Sequence, residues 1–176
     1  MHLITTHENA DFDALASVVG IKKLYPNALV SLPGSQEKEV REFLSIFPLP
    51  FEIKNPRDID LNEVELLILV DCRSPSRIGL FKELFRKKGL RLHIYDHHPK
   101  REMDITPEKE VIEEVGAATT IIVELLRKRH IPITPFEATI MAIGIYEETG
   151  SLRYPSTTYR DLEAAAYLLR RGANLN

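Results

Sequence analysis

Leu66-Leu67-Ile68-Leu69-Val70-Asp71 decides how this chain folds. Five aliphatic residues in a row match a strand buried on both faces, as in a parallel sheet covered by helices on each side. Asp71 is the informative exception, because an unpaired carboxylate beside so apolar a run would be costly. Outward from it, residues 2–5, 28–32 and 91–95 read as further strands, and 51–54 as a short strand candidate. Helical patterns fall between them at 14–25, at 37–47 before Pro48 and Pro50, and at 76–88 before Gly89. This alternation predicts an α/β fold, a parallel sheet flanked by helices with right-handed crossovers.

Beyond Gly116 the pattern becomes helical. Residues 117–129 form one predicted helix, and Thr134-Pro135-Phe136-Glu137 opens another with an N-cap, Pro at N1 and Glu at N3. Thr158 and Asp161 are placed to cap a last helix that Gly172 closes. With no repeat, low-complexity tract or linker, residues 1–176 read as a single domain, either whole or cut from a longer protein.

Apolar residues make up 44% and charged residues 28%, which predicts a packed core rather than disorder. The net charge of -3 argues against nucleic-acid binding over the whole surface but leaves room for a local basic groove. Cys72 is the sole cysteine, so internal disulfides and thiol-rich zinc sites are excluded, and the residue is expected to be buried. The longest apolar run is far too short to span a bilayer, and the first residues lack the pattern of a secretory leader. A cytoplasmic protein with no membrane partner is the expectation.

Four segments concentrate chemistry. In open α/β sheets, sites lie beyond the carboxyl ends of strands, and three of the four fall there. Thr6-His7-Glu8-Asn9-Ala10-Asp11-Phe12-Asp13 puts one imidazole and two carboxylates on a loop, a donor set suited to manganese, iron, cobalt or zinc. The same residues would also serve as an ordinary helix cap and surface histidine. Asp71 is followed by Arg73 and Arg77, which would either neutralise it or hold a phosphate. Asp96-His97-His98-Pro99 places two imidazoles in different directions, one for metal and one for substrate; a polar turn with a buried histidine is the competing reading. Gly144 to Gly150 carries Glu147 and Glu148 at a helix C-terminus, where two acids need a positive neighbour such as a metal, Arg153 or Arg160.

In this order and spacing, His7-Glu8-Asn9-Ala10-Asp11-Phe12-Asp13-Ala14 resembles motif I of the DHH phosphoesterase superfamily. Asp71 is similar to its motif II, Asp96-His97-His98 to the triplet that names the family, and Gly144 to Gly150 to its motif IV. Gly144-Ile145-Tyr146-Glu147-Glu148-Thr149-Gly150-Ser151-Leu152 and the closing Arg170-Arg171-Gly172-Ala173-Asn174-Leu175-Asn176 resemble the DHH domains fused to tRNA nucleotidyltransferase or poly(A) polymerase-like proteins.

The resemblance implies two divalent cations, manganese first, with magnesium or cobalt as alternatives. His7 and Asp11 would hold one, Asp13 and His97 the other, and Asp71 both. Glu148 stands where the family usually has Asp and would complete the second site. His98 would contact the substrate phosphate, with Asn9 and Arg77 as helpers and Asp96 orienting a ligand histidine. The implied reaction is attack by metal-bound hydroxide on a phosphodiester of short RNA or a nucleotide, or on a phosphoanhydride. The implied partner is a phosphate-containing small molecule or short oligonucleotide, with RNA reached through a fused domain. Two departures stand out: Glu148 is one methylene longer than Asp, and nothing matches the C-terminal DHH-associated domain of most relatives. These favour the alternative of a catalytically weak nucleotide- or RNA-binding, regulatory domain.

Overall fold

The computed structural model describes residues 1–99 and 106–176. Strands β1 (His2–Thr5), β2 (Leu29–Val30), β3 (Leu66–Val70), β4 (Arg91–Asp96) and β5 (Lys109–Ile112) form one five-stranded sheet in the order β2-β1-β3-β4-β5. Every pairing is parallel. The chain winds outward in opposite senses from the β1/β3 pair, the switch point at which such sheets open a crevice. All five residues of β3 are buried, as its aliphatic run requires.

Alternation along the strands divides the core between the two faces. Ile4, Ile68, Val70 and Tyr95 pack with helices α1 (Phe12–Leu24), α3 (Ala118–Lys128), α4 (Pro135–Glu148) and α5 (Tyr159–Arg170). Leu3, Leu67, Leu69, Leu92 and Ile94 face Ile78, Phe81 and Leu84 on the other side. Helix α2 (Lys38–Ile46) lies near the β2 edge, where Phe43 meets Phe12 edge-on at 5.7 Å.

Helices α1 and α4 approach closely because glycine lines the contact. A Cβ on Gly144 would lie 2.5 Å from Ala16 Cβ and 2.9 Å from the Phe12 carbonyl oxygen. One on Gly20 would lie 2.6 Å from Ile122 Cγ2. The capping box at Thr134 and Glu137 forms as predicted, and a second pairs Thr158 with Asp161.

Three expectations are corrected. The stretch 76–88 is not an α-helix but two 3₁₀ segments, Pro75–Arg77 and Gly79–Arg86. Its buried residues Ile78, Phe81 and Leu84 recur every third position, the period of a 3₁₀ helix, and Gly79 at φ 55 interrupts any continuous α-helix. The candidate strand at 51–54 contributes only an isolated bridge, Ile53 to Val30, because β2 is itself just two residues long. Strand β5 is an addition to the expected set: Lys109–Ile112 is a half-exposed edge strand without a continuous aliphatic run.

Candidate metal centre

The loops after β1, β3 and β4 and the end of α4 converge beside the switch point. Asp71 is buried at the tip of β3 in a left-handed conformation, φ 51, with its N–H donated to the Tyr95 carbonyl at 2.9 Å. Asp tolerates this region better than most residues, and such strain concentrates at functional sites. Its Oδ2 lies 3.4 Å from His7 Nε2, and its Oδ1 lies 3.5 Å from His97 Nε2. One carboxylate thus separates two imidazoles.

Backbone carbonyls fix both rings. His7 Nδ1 donates to the Glu8 carbonyl at 2.8 Å, and His97 Nδ1 donates to the Val115 carbonyl at 3.1 Å. With Nδ1 so occupied, Nε2 of each ring is the nitrogen turned to the cluster, the second-sphere device common to metal-ligating histidines. Around His7, Asp11 Oδ2 stands at 3.8 Å from Nε2. Around His97, Glu148 Oε1 and Asp13 Oδ2 stand at 3.8 and 3.9 Å from Nε2.

Asp11 and Asp13 also build the helices that carry them. Asp11 is the N-cap of α1, its Oδ1 accepting from the Ala14 N–H at 2.9 Å. Asp13 accepts from the first N–H groups of α3, Ala118 to Oδ2 at 2.7 Å and Thr119 to Oδ1 at 2.9 Å.

His98 is the most open member. Its Nδ1 donates to Asp96 Oδ1 at 2.8 Å and lies 3.7 Å from Asp71 Oδ1. Asp96 also accepts the backbone N–H of His97 at 2.9 Å. Asp96 thus holds the His98 ring through its side chain, and the Val115 carbonyl holds the His97 ring. His98 and Asp96 line a pocket of about 100 Å³ with Arg73, Ser74 and Arg77. The Arg77 carbonyl accepts the Glu8 N–H at 2.7 Å, tying this loop to the first one.

The expected neutralisers are placed elsewhere. Arg73 pairs with Glu110 at 3.0 Å, and the groups facing Asp71 are histidines. Arg160 binds Glu124 at 2.6 Å and Glu113 at 3.0 Å, while Arg153 donates to the Gly150 carbonyl at 3.2 Å, so neither pairs with Glu148. Asn9, also left-handed at φ 54, has its Oδ1 taken by Ser35 Oγ at 2.6 Å. It shapes the loop through Ser35. Glu147 is exposed and lines a separate groove with Tyr146 and Arg153, as the angular step between neighbouring helical residues requires.

The electrostatics are those of carboxylates crowded around two imidazole rings. Burial raises the Asp13 carboxyl well above its usual range, and the Asp71 charge adds to this. Burial would also raise Asp71, but the facing His7 and His97 rings win and hold it low. Burial would lower His97, yet Asp71 and Asp13 together push it up to about 10. Glu148 is raised by burial and by the Asp71 charge. Cys72, buried beside the cluster, has its thiol pushed up to about 11, chiefly by burial.

Asp71 Oδ1, His97 Nε2 and Asp96 Oδ2 are buried atoms without a hydrogen-bond partner. Buried polar atoms without a partner are rare in native interiors, and these three sit together at the cluster. Ligand atoms of His7, Asp11 and Asp71, and separately of Asp71, His97 and His98, lie within 4.8 Å of one another. Imidazole and carboxylate oxygen suit a first-row divalent cation or magnesium. The residues present fit such ions.

Sequence reasoning locates all four segments but not what supports them. Asp161 is fully buried and accepts from the Gly116 N–H at 2.9 Å and from Thr120 Oγ1 at 2.6 Å. It thereby braces the Val115-Gly116 turn whose carbonyl holds His97. Its only sequence signal is its place in a capping box.

A parallel doubly wound sheet with His and Asp clusters beyond its β1, β3 and β4 ends defines an α/β domain with a candidate cation site at its switch point. The chain belongs to the DHH family: that family's N-terminal domain matches residues 2–145. An A-adding tRNA nucleotidyltransferase of Geobacter sulfurreducens is 50% identical over 179 residues, covering 100% of this chain and 20% of that protein. The chain thus spans about one fifth of that relative. A bifunctional oligoribonuclease and PAP phosphatase, NrnA, of Mycoplasma genitalium is 30% identical over 98% of this chain and 54% of its own length. Among solved structures, a Methanococcus jannaschii protein assigned to the family II inorganic pyrophosphatases superposes with a TM-score of 0.80 at 25% identity. That match covers 100% of this chain and 57% of the other. Among the described residues, no helix is long and apolar enough to cross a membrane.

Proposed function

We propose that this chain is a two-cation phosphoesterase domain that hydrolyses phosphodiester bonds of short RNA or nucleotides, or phosphoanhydrides. The observation that carries this reading is the Asp71 carboxylate between His7 and His97, with Oδ1 and the facing His97 Nε2 both buried and unbonded. His7, Asp11 and Asp71 would hold one divalent cation, and Asp71, His97, Asp13 and Glu148 the other, with manganese among the ions that these donors suit. Such cations supply Lewis acidity toward phosphoryl oxygens and lower the pKa of a coordinated water.

The chain's own groups do the rest. His98, with its Nδ1–H committed to Asp96, keeps Nε2 available, and as an imidazolium it would donate from there to a phosphoryl oxygen as negative charge develops. Arg77, exposed beside the same pocket, offers a planar second cation for a non-bridging oxygen. The left-handed Asn9 and its bond to Ser35 preserve the loop from which His7 and Asp11 project. The products are a phosphomonoester and an alcohol, or two phosphates.

The test is hydrolysis of short oligoribonucleotides and bis-p-nitrophenyl phosphate with manganese, with metal content measured on the same sample. Turnover with about two ions bound supports the reading; absence of bound metal sinks it. Metal without turnover would favour a second reading, a nucleotide- or RNA-binding regulatory domain of a larger RNA-modifying protein. The 50% identity to one fifth of an A-adding enzyme supports that setting.

A further inference from the structure

Helix α3 begins at the metal centre, where the Ala118 N–H bonds to Asp13, and ends about 15 Å away at 1.5 Å per residue. Its last turn and the residues after it read Arg127-Lys128-Arg129-His130, all exposed. The end of α5 adds Arg170 and Arg171 beside them, also exposed. Tyr167 joins the two helix ends: the Arg127 guanidinium lies 5.7 Å and the Arg171 guanidinium 5.0 Å from its ring centroid. A groove runs between them, floored by Ile131 and Pro132.

Two features separate this face from ordinary helix ends. Cations in a last turn are favoured by the helix dipole, and α1 shows the common outcome. There Lys22 donates to the Pro26 and Ala28 carbonyls at 2.7 Å each, and Lys23 binds Glu137 at 2.7 Å. Arg91 and Arg160 are likewise matched by Glu108 and Glu124. At the α3/α5 face, by contrast, Arg127, Lys128, Arg170 and Arg171 form no ion pair among the described residues. A chain with net charge -3 has nonetheless gathered four unmatched cations on one surface. In addition, the aromatic ring holds two of the guanidiniums in place, which reduces the side-chain entropy that binding would cost.

We propose that this face binds the phosphodiester backbone of a nucleic-acid strand. Planar guanidiniums match phosphate oxygens bidentately, and clustered cations with an aromatic between them form the groove type that tracks a single strand. The site lies at the opposite end of α3 from the metal cluster, so it anchors a polynucleotide without presenting its scissile bond. It does not depend on the phosphoesterase reading.

The test is fluorescence anisotropy of a labelled oligouridylate with the full chain in EDTA, so that hydrolysis is excluded, across a series of salt concentrations. Oligothymidylate runs in parallel to separate RNA from a general phosphate backbone. Arg127→Glu/Arg171→Glu is expected to weaken binding at least about tenfold and to flatten the salt slope by about 0.7 for each phosphate no longer neutralised. Lys82→Glu/Lys88→Glu, an equal charge change on another surface, is expected to keep most of the affinity. If circular dichroism shows the first variant unfolded, Arg127→Gln/Arg171→Gln is read by the same criteria. No binding by the wild type at low salt would overturn the proposal. So would equal losses in the two surface pairs, or displacement by polyglutamate as effective as by unlabelled RNA, which would assign the face to an acidic protein.

Discussion

The Asp13 carboxylate receives the Thr119 N–H at 2.9 Å, so a side chain of the candidate metal centre is also the anchor for the start of α3. The same carboxylate takes the neighbouring Ala118 N–H at 2.7 Å. A negative charge at a helix N-terminus is favourable, and here it offsets part of the cost of burying a carboxylate that burial otherwise raises. The centre is therefore built from groups that hold the fold together.

Asp71 and His98 separate binding from turnover. Asp71→Asn is expected to abolish most manganese binding in isothermal titration and, with it, hydrolysis. His98→Gln is expected to retain the cations and lose roughly 10²–10⁴-fold in turnover, the range for a positioned proton donor. Undiminished hydrolysis by the Asp71 variant would contradict the assignment.

Asp161 is expected to act at a distance through the Val115-Gly116 turn. Asp161→Ala leaves the Gly116 N–H and the Thr120 and Thr158 hydroxyls without their shared acceptor. The loss should cost about 2–4 kcal/mol, or roughly 5–15 °C in Tm. Manganese affinity should also fall by about tenfold or more as His97 loses its brace. A stability loss with unchanged affinity would show that the turn is structural only.

Glu137 gives a pH signature away from the metal centre. Burial would raise its carboxyl, but Lys23 and the Thr134 N–H hold it below the usual range. A depressed folded-state pKa means that the stabilisation is complete above the ordinary carboxylate range and is lost as pH falls through the folded value. The wild type should therefore exceed Glu137→Gln by about 1–2 kcal/mol near neutrality, and the difference should shrink on acidification. Urea unfolding at several pH values measures it, and a pH-independent gap would refute it.

Gly144→Ala tests the α1/α4 contact. Alanine is the better helix former, yet its methyl would meet Ala16 Cβ and the Phe12 carbonyl. Destabilisation of about 1–3 kcal/mol is expected, partly recovered by adding Ala16→Gly. A gain in stability would show that the helices separate freely.

The strands and ligand segments are legible in the sequence because each rests on local pattern. Leu66–Val70 could be little else than a buried strand, and motif residues follow strand ends in sequence as they do in space. The 3₁₀ segments read as α-helix because Ile78, Phe81 and Leu84 fit an i, i+3 pattern shared by both helix types. Lys109–Ile112 escapes a sequence reading because an edge strand needs no apolar run. The partners of Asp71 are hidden for another reason. Arg73 and Arg77 are near in sequence, whereas His7 and His97 reach it only through the parallel alignment of β1, β3 and β4. Asp161 gives no hint of its reach to the His97 turn because that contact spans 45 residues.

The glycine contact between α1 and α4 has a consequence for the extra methylene of Glu148. Both helices deliver candidate ligand segments, one at its beginning and one at its end, and with bare backbone at the crossing they are in close contact there. The frame therefore behaves as a fixed gauge. A longer acid at the end of α4 cannot be accommodated by retreat of the helix, so the added length must be folded into the rotamer of Glu148 alone. In the proposed two-cation centre, the position of the Glu148 carboxylate would then be set by one side chain's torsions, without disturbing the scaffold that measures the gap.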